Sequence, residues 1–143
     1  MSLLKFEELY LDREIEAIEN EAISKVQLVK YAGASGDFNP LHTDDQFAKK
    51  AGLDGVIAHG MLSMGLIGKY VRQVIGDQGN IEQIQVRFSS MAKPQDVLTC
   101  TGKVASIEEE SKTVIFDVAA INQEGRTVTA GSTVVRYFVS QNN

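Results

Sequence analysis

At Ile81 the spacing of apolar residues changes, and this change restricts the fold more than any other feature of the chain. Upstream, Leu62, Met64, Leu66, Ile67, Val71, Val74 and Ile75 crowd into one segment, Met61 to Ile75. They fall on several faces of a helix, which predicts a largely buried helix ending at Gly76. Downstream, Ile84, Val86 and Phe88 alternate with Gln83, Gln85 and Arg87. Leu98, Cys100 and Val104 follow, then Val114, Phe116, Val118 and Ala120, then the run Val128 to Tyr137. This is the period of strands. Turn residues separate the runs at Lys93 to Asp96, Glu108 to Lys112 and Asn122 to Gly125, as in long antiparallel hairpins. A strand of ten residues spans about 33 Å and a helix of fifteen about 22 Å, so such a sheet is long enough to wrap the helix. The expectation is one α+β domain over residues 1–143, helices first and an antiparallel meander after.

Smaller elements precede the long helix. Glu14 to Ile18 alternates as a short strand does. Ser24-Lys25-Val26-Gln27 reads as a capping box opening a helix that stops between Gly33 and Gly36, and Thr43-Asp44-Asp45-Gln46 reads as a second box. That second helix ends at Gly52, a residue suited to a left-handed cap. Between the two helices lies the densest loop of the chain, Gly36-Asp37-Phe38-Asn39-Pro40, where Pro40 forces Asn39 out of the helical region.

Composition removes several function classes. With 43% hydrophobic and 23% charged residues the chain is ordinary globular material. Its formal charge is −5 and no basic stripe runs along it, so no nucleic-acid partner is expected. The longest apolar stretch, Met61 to Ile67, is too short to span a bilayer. The first twelve residues mix acids with apolar residues and do not read as a secretory signal, so a cytoplasmic enzyme is the default expectation. Cys100 is the only cysteine and sits in a strand-like run, which reads as a small buried residue.

Chemistry concentrates around the two histidines, His42 and His59. Asp37 and His42 are five residues apart across the turn broken by Pro40, and a turn can join side chains that a helix at that spacing would point apart. An Asp beside a His supplies a proton acceptor and a donor near neutral pH. The plainer reading is that Asp37 merely caps the turn. In His59-Gly60-Met61, Gly60 falls where the long helix begins, so its N–H should be unpaired and aligned with the positive end of the helix. It could stabilise a carbonyl oxygen that gains charge, or the glycine could be there only for packing.

Taken together, Tyr31-Ala32-Gly33-Ala34-Ser35-Gly36-Asp37-Phe38-Asn39-Pro40-Leu41-His42, then Ala51-Gly52, then Ala58-His59-Gly60-Met61, closely resemble the MaoC-like hydratases and dehydratases. These include (R)-specific enoyl-CoA hydratases and the catalytic subunits of type II 3-hydroxyacyl dehydratases. The match runs from Tyr31 to about Tyr70. The resemblance implies a hot-dog fold, an antiparallel sheet around a long central helix, usually dimerised edge to edge. It implies a hydro-lyase that adds water to trans-2-enoyl thioesters of coenzyme A or acyl carrier protein, giving (R)-3-hydroxyacyl thioesters, with no metal or redox cofactor. Asp37 and His42 would hold the water, the Gly60 amide would receive the thioester oxygen, and Asn39 would support the dyad. His59 would be a structural part of its turn, and Met61 and Met64 would be core residues or line the acyl tunnel. One departure is Gly68, where some relatives carry a serine near the catalytic aspartate.

Three other readings compete. A thioesterase on this fold would use a carboxylate on the long helix, yet Met61 to Val71 contains neither Asp nor Glu. A non-catalytic acyl-binding or partner subunit would be natural without the dyad, but both members are present. A metal hydrolase built on Asp37, His42 and His59 would use no recognised ligand spacing. A homodimer is expected, with a heterodimer or larger assembly left open. Arg87, Lys93 and Lys103 are candidate contacts for the carrier's phosphates.

Overall fold

The computed structural model describes residues 2–139. Its elements run β1 (Glu14–Glu19), α1 (Lys25–Ser35), α2 (Asp45–Lys50), α3 (Gly60–Ile75), β2 (Gly79–Phe88), β3 (Thr99–Glu108), β4 (Thr113–Ile121) and β5 (Thr127–Tyr137). The strands form one sheet in the order β1-β3-β4-β5-β2, every pairing antiparallel. Helix α3 contacts β2, β3, β4 and β5. The expected α+β architecture, a meander around a long helix, is what the chain adopts.

The inner faces of the strands make the core. Cys100, Val104, Val114, Phe116, Val118, Ala120 and Val135 pack with Ile67, Tyr70, Val71, Val74 and Ile75 of α3. A second cluster under α1 joins Ile23, Leu28, Val56, Leu62, Leu98 and Val128. Burial pushes the Cys100 thiol above its ordinary range, which suits packing rather than nucleophilic chemistry.

Several expectations are corrected. Helix α3 is not buried on all sides: Leu62, Ser63, Ile67, Tyr70, Val71, Val74 and Ile75 face the sheet, while Met61, Gly65, Lys69, Arg72 and Gln73 form an exposed stripe, because the sheet covers only one side of it. Met61 is accordingly 54% exposed and not a core residue. The cap of α2 is Asp44 rather than Thr43, its carboxylate accepting from the N–H groups of Gln46 and Phe47. The long strand Thr127 to Tyr137 lies between β4 and β2, and the edges are β1 and β2. Ser24 caps α1 as expected, accepting from Gln27 N at 3.0 Å, but the reciprocal bond from the Gln27 side chain that would complete a capping box is not formed. Gly36 then ends that helix in the left-handed region at φ 77°. Among the described residues no helix is long and apolar enough to cross a membrane.

Candidate active site

The loop after α1 is a run of side-chain caps. Ser35 Oγ accepts from Asp37 N, Asp37 Oδ1 from Asn39 N at 3.2 Å, and Asn39 Oδ1 from Leu41 N at 3.0 Å. Each is a short polar side chain bonding the backbone two residues on. Asn39 thereby starts a single 3-10 turn, Pro40–His42, which turns His42 back toward Asp37. His42 Nε2 stands 3.8 Å from Asp37 Oδ2. Capping and the dyad are therefore compatible, because each uses a different carboxylate oxygen.

A second segment supports His42 from behind. Ile57 N donates to Leu41 O at 3.0 Å and Ala58 N to Ala92 O at 2.8 Å. The Ile57 carbonyl then accepts from His42 Nδ1 at 2.7 Å. A carbonyl only accepts, so Nδ1 carries a proton and Nε2 is the nitrogen turned to Asp37. The start of this segment is held by Asp45, which pairs with Lys25 and accepts from Val56 N. That Lys25 contact holds the Asp45 carboxyl below the usual carboxylate range.

His59 is 2% exposed. Its ring stacks on His42 at 3.8 Å between centroids and meets Tyr31 at 4.7 Å. Its Nε2 lies 3.2 Å from the Asp37 carbonyl, and its Nδ1 is buried without a hydrogen-bond partner. Ligand atoms of Asp37, His42 and His59 all lie within 4.8 Å of one another. The donor set nonetheless suits a metal poorly. With protons on His42 Nδ1 and His59 Nε2, the nitrogens left for a metal, His42 Nε2 and His59 Nδ1, sit on two stacked rings whose in-plane lone pairs do not converge on one point.

Gly60 opens α3, and its N-cap, His59, supplies no side-chain cap. The N–H groups at this helix start are therefore without a side-chain acceptor. A cavity of about 180 Å³ adjoins it, lined among others by His42, Gly60, Ser63, Phe88, Met91 and Thr129. A larger hollow, about 700 Å³, lies between β1 and β5 around Thr101, Asp117 and Ala130, remote from the dyad and without its chemistry. Of the sequence candidates, His42 and Gly60 line this cavity, and Asp37, bonded to Asn39 N, faces His42 without lining it. Met61 and the half-buried Met64 do not line the cavity, and Met91 does. A side chain at Gly68 would meet Ile84 of β2 at 3.4 Å. Lys93 follows the cavity-lining Ala92, whereas Lys103 pairs with Asp12 at 3.6 Å. Ser63, Thr129 and Phe88 are the residues sequence reasoning missed. Their only signal was register, an inward position on a helix or strand that ends at the cavity.

The fold and the site define a hot-dog domain of the hydratase type seen in solved structures. R-hydratase PhaJ1 from Pseudomonas aeruginosa superposes with a TM-score of 0.84 at 25% identity, covering 96% of this chain and 92% of its own. A protein described as a MaoC-like dehydratase gives 0.83 at 34% identity, covering 94% of this chain and 42% of its own. In sequence, the (R)-specific enoyl-CoA hydratase of Rhodospirillum rubrum is 30% identical over 116 residues, 80% of either chain. The peroxisomal hydratase-dehydrogenase-epimerase of Neurospora crassa is 32% identical over 116 residues, 78% of this chain but only 12% of that protein. The peroxisomal enoyl-CoA hydratase 2 of Arabidopsis thaliana is 32% identical over 104 residues, and this chain covers 32% of its length. Residues 7–125 match the MaoC like domain, and the chain belongs to that family.

Proposed function

We propose that this chain is a hydro-lyase that reversibly hydrates trans-2-enoyl thioesters of coenzyme A or acyl carrier protein to (R)-3-hydroxyacyl thioesters. The observation that carries the reading is the 3.8 Å separation of His42 Nε2 and Asp37 Oδ2 beside the Gly60 helix start. It is too long for a direct hydrogen bond and suits two groups sharing one water, whose bonds of about 2.8 Å to each would meet at roughly a right angle.

In the hydration direction one dyad member takes a proton from that water as its oxygen bonds to C3. The other delivers a proton to C2 on the same face, and the negative charge that builds on the thioester oxygen falls on the Gly60 N–H. The next bridging water returns the proton from one member to the other, so substrate plus water gives product with the dyad restored. His42 exchanges its proton at Nε2, since Nδ1 is committed to Ile57. The thioester itself acidifies C2, so the reaction calls for neither metal nor redox cofactor.

The test is loss of enoyl absorbance across thioesters of increasing chain length on both carriers, with chiral analysis of the product. An (R)-3-hydroxyacyl thioester is expected. Release of free thiol instead would make the chain a thioesterase, and binding without turnover would make it an acyl-binding subunit.

A further inference from the structure

Two buried hydroxyls beneath the cavity have no part in the proton transfers proposed above. Ser63 is 3% exposed and Thr129 0%, and their oxygens are 2.6 Å apart. Ser63 Oγ donates to Gly60 O at 2.7 Å. A hydroxyl has one proton to give, so Thr129 must be the donor to Ser63. The result is a one-way chain from β5 through α3 to the Gly60 carbonyl. A serine bonding back to a carbonyl three residues earlier is a common habit inside helices. A strand threonine that completes the chain from 66 residues away is not.

We infer that Ser63 and Thr129 are positioning residues that, by holding the Gly60 carbonyl, restrict rotation at Gly60 and so fix the direction its N–H takes toward the thioester oxygen, an inference resting on the oxyanion role just proposed. A Cβ at position 60 would lie 3.3 Å from three carbons of the Phe88 ring, so that ring would have to shift to admit one. Glycine is the residue with the greatest backbone freedom, and a donor that wanders stabilises little charge. Restraints on both sides remove that freedom. On the N-terminal side, the His59 ring is held by the Asp37 carbonyl and the His42 stack. On the C-terminal side, the Ser63–Thr129 chain holds the Gly60 carbonyl. Thr129 also pairs with Phe88 across β5 and β2, so one strand position sets both the donor and the ring that limits it.

The experiment compares Ser63→Ala, Thr129→Val, Thr129→Ser and the Ser63→Ala/Thr129→Val double variant in full-length protein, with Asp37→Asn as control. Ser63→Ala and Thr129→Val should each lower kcat about tenfold, short of the 10²- to 10³-fold cost of losing a donor outright, with KM within about twofold. Thr129→Ser should restore most of the rate. The double variant should be little worse than either single, since the two act in series. The pH–rate profile should keep its shape because the dyad is untouched. Wild-type kcat in both single variants, a loss confined to KM, or a Thr129→Ser variant as slow as Thr129→Val would overturn the inference. If the wild type hydrates no enoyl thioester, the functional reading fails first. The Gly60 amide resonance then decides the rest: movement in Ser63→Ala and Thr129→Val retains the restraint, and an unmoved resonance rejects it.

Discussion

His42 and Asp37 face each other with one atom committed and one free on each side. His42 Nδ1 is bonded to Ile57 O at 2.7 Å and Asp37 Oδ1 to Asn39 N at 3.2 Å, which leaves Nε2 and Oδ2 opposed at 3.8 Å. Anchoring each side chain to backbone fixes its direction without consuming the atom that would exchange protons in the proposed reaction. Exposure is divided as well: the His42 side chain is 12% accessible and that of Asp37 53%. The imidazole is thus held in the protein while the carboxylate is largely open to solvent.

Asp37→Asn preserves the Oδ1 that caps the turn, and His42→Gln keeps a polar group of similar reach. Both variants should therefore melt close to the wild type. Their hydration rates should fall by roughly 10²- to 10⁴-fold. Initial rates and thermal melts on the same preparations check this, and a well-folded variant with near-normal turnover removes that residue from the mechanism.

Much of this arrangement was legible before the structure. Gly36, Pro40 and Gly76 act through backbone constraints that hold in any context, so the loop and the ends of α1 and α3 followed directly from them. The period-two runs likewise located β3, β4 and β5. What local pattern could not supply was which neighbour each element meets. The apolar residues of α3 suggested a largely buried helix in which Met61 also read as core, yet the sheet covers one face only and leaves Met61 exposed. Strand order is set by packing between distant segments, so β2 crossing to the outside of β5 left no local trace. Ser63 and Thr129 were invisible for the same reason, being ordinary polar residues until 66 positions of chain fold back. Asp44 displaced Thr43 as the α2 cap because Thr43 was already spent closing the preceding 3-10 turn.

Exhaustive chelation should leave activity unchanged. In the proposed reaction the thioester itself acidifies C2, so no Lewis acid is called for, and the stacked rings of His42 and His59 do not direct their unprotonated nitrogens at one point. Activity assays before and after dialysis against EDTA make the comparison. Loss with recovery on Zn²⁺ would establish a metal requirement.

Assembly follows from the edges. Strand β2 has ten residues and is paired only to β5, leaving a long row of backbone groups that a second copy can pair. A dimer joined into one continuous sheet is expected in sedimentation at micromolar concentration. A monomer that is fully active under those conditions contradicts it.

Gly131 should be the least replaceable glycine of the sheet. A Cβ there would sit 1.9 Å from Gln85 O and 2.7 Å from Val86 Cα, both backbone atoms of the neighbouring strand, which cannot swing aside. Overpacking commonly costs about 1–3 kcal/mol, and Gly131→Ala should reach or exceed that range in urea unfolding. It should also lower activity, since parting β2 from β5 displaces Phe88 from the cavity. A variant as stable as wild type would mean the strands slide apart freely at this point.

Gly60 separates a hydratase from a passive binder, and Phe88 makes the test specific. In Gly60→Ala the new methyl presses on the Phe88 ring, which is 48% exposed and can move. The fold should survive, while displacement of the donor lowers kcat about tenfold. Gly60→Pro adds a second defect: proline suits the first position of a helix but removes the N–H, so kcat should fall by about 10²- to 10³-fold. Adding Phe88→Leu should relieve crowding and recover part of the alanine loss. It should recover little of the proline loss, because space cannot replace a missing donor. The measurements are kcat, KM, affinity for an unreactive acyl thioether and thermal melting for all four variants. Equal losses in affinity and kcat/KM with kcat intact would mean the site only binds its ligand. Wild-type turnover in a stable Gly60→Pro variant would end the oxyanion role of this amide, whatever Phe88 does.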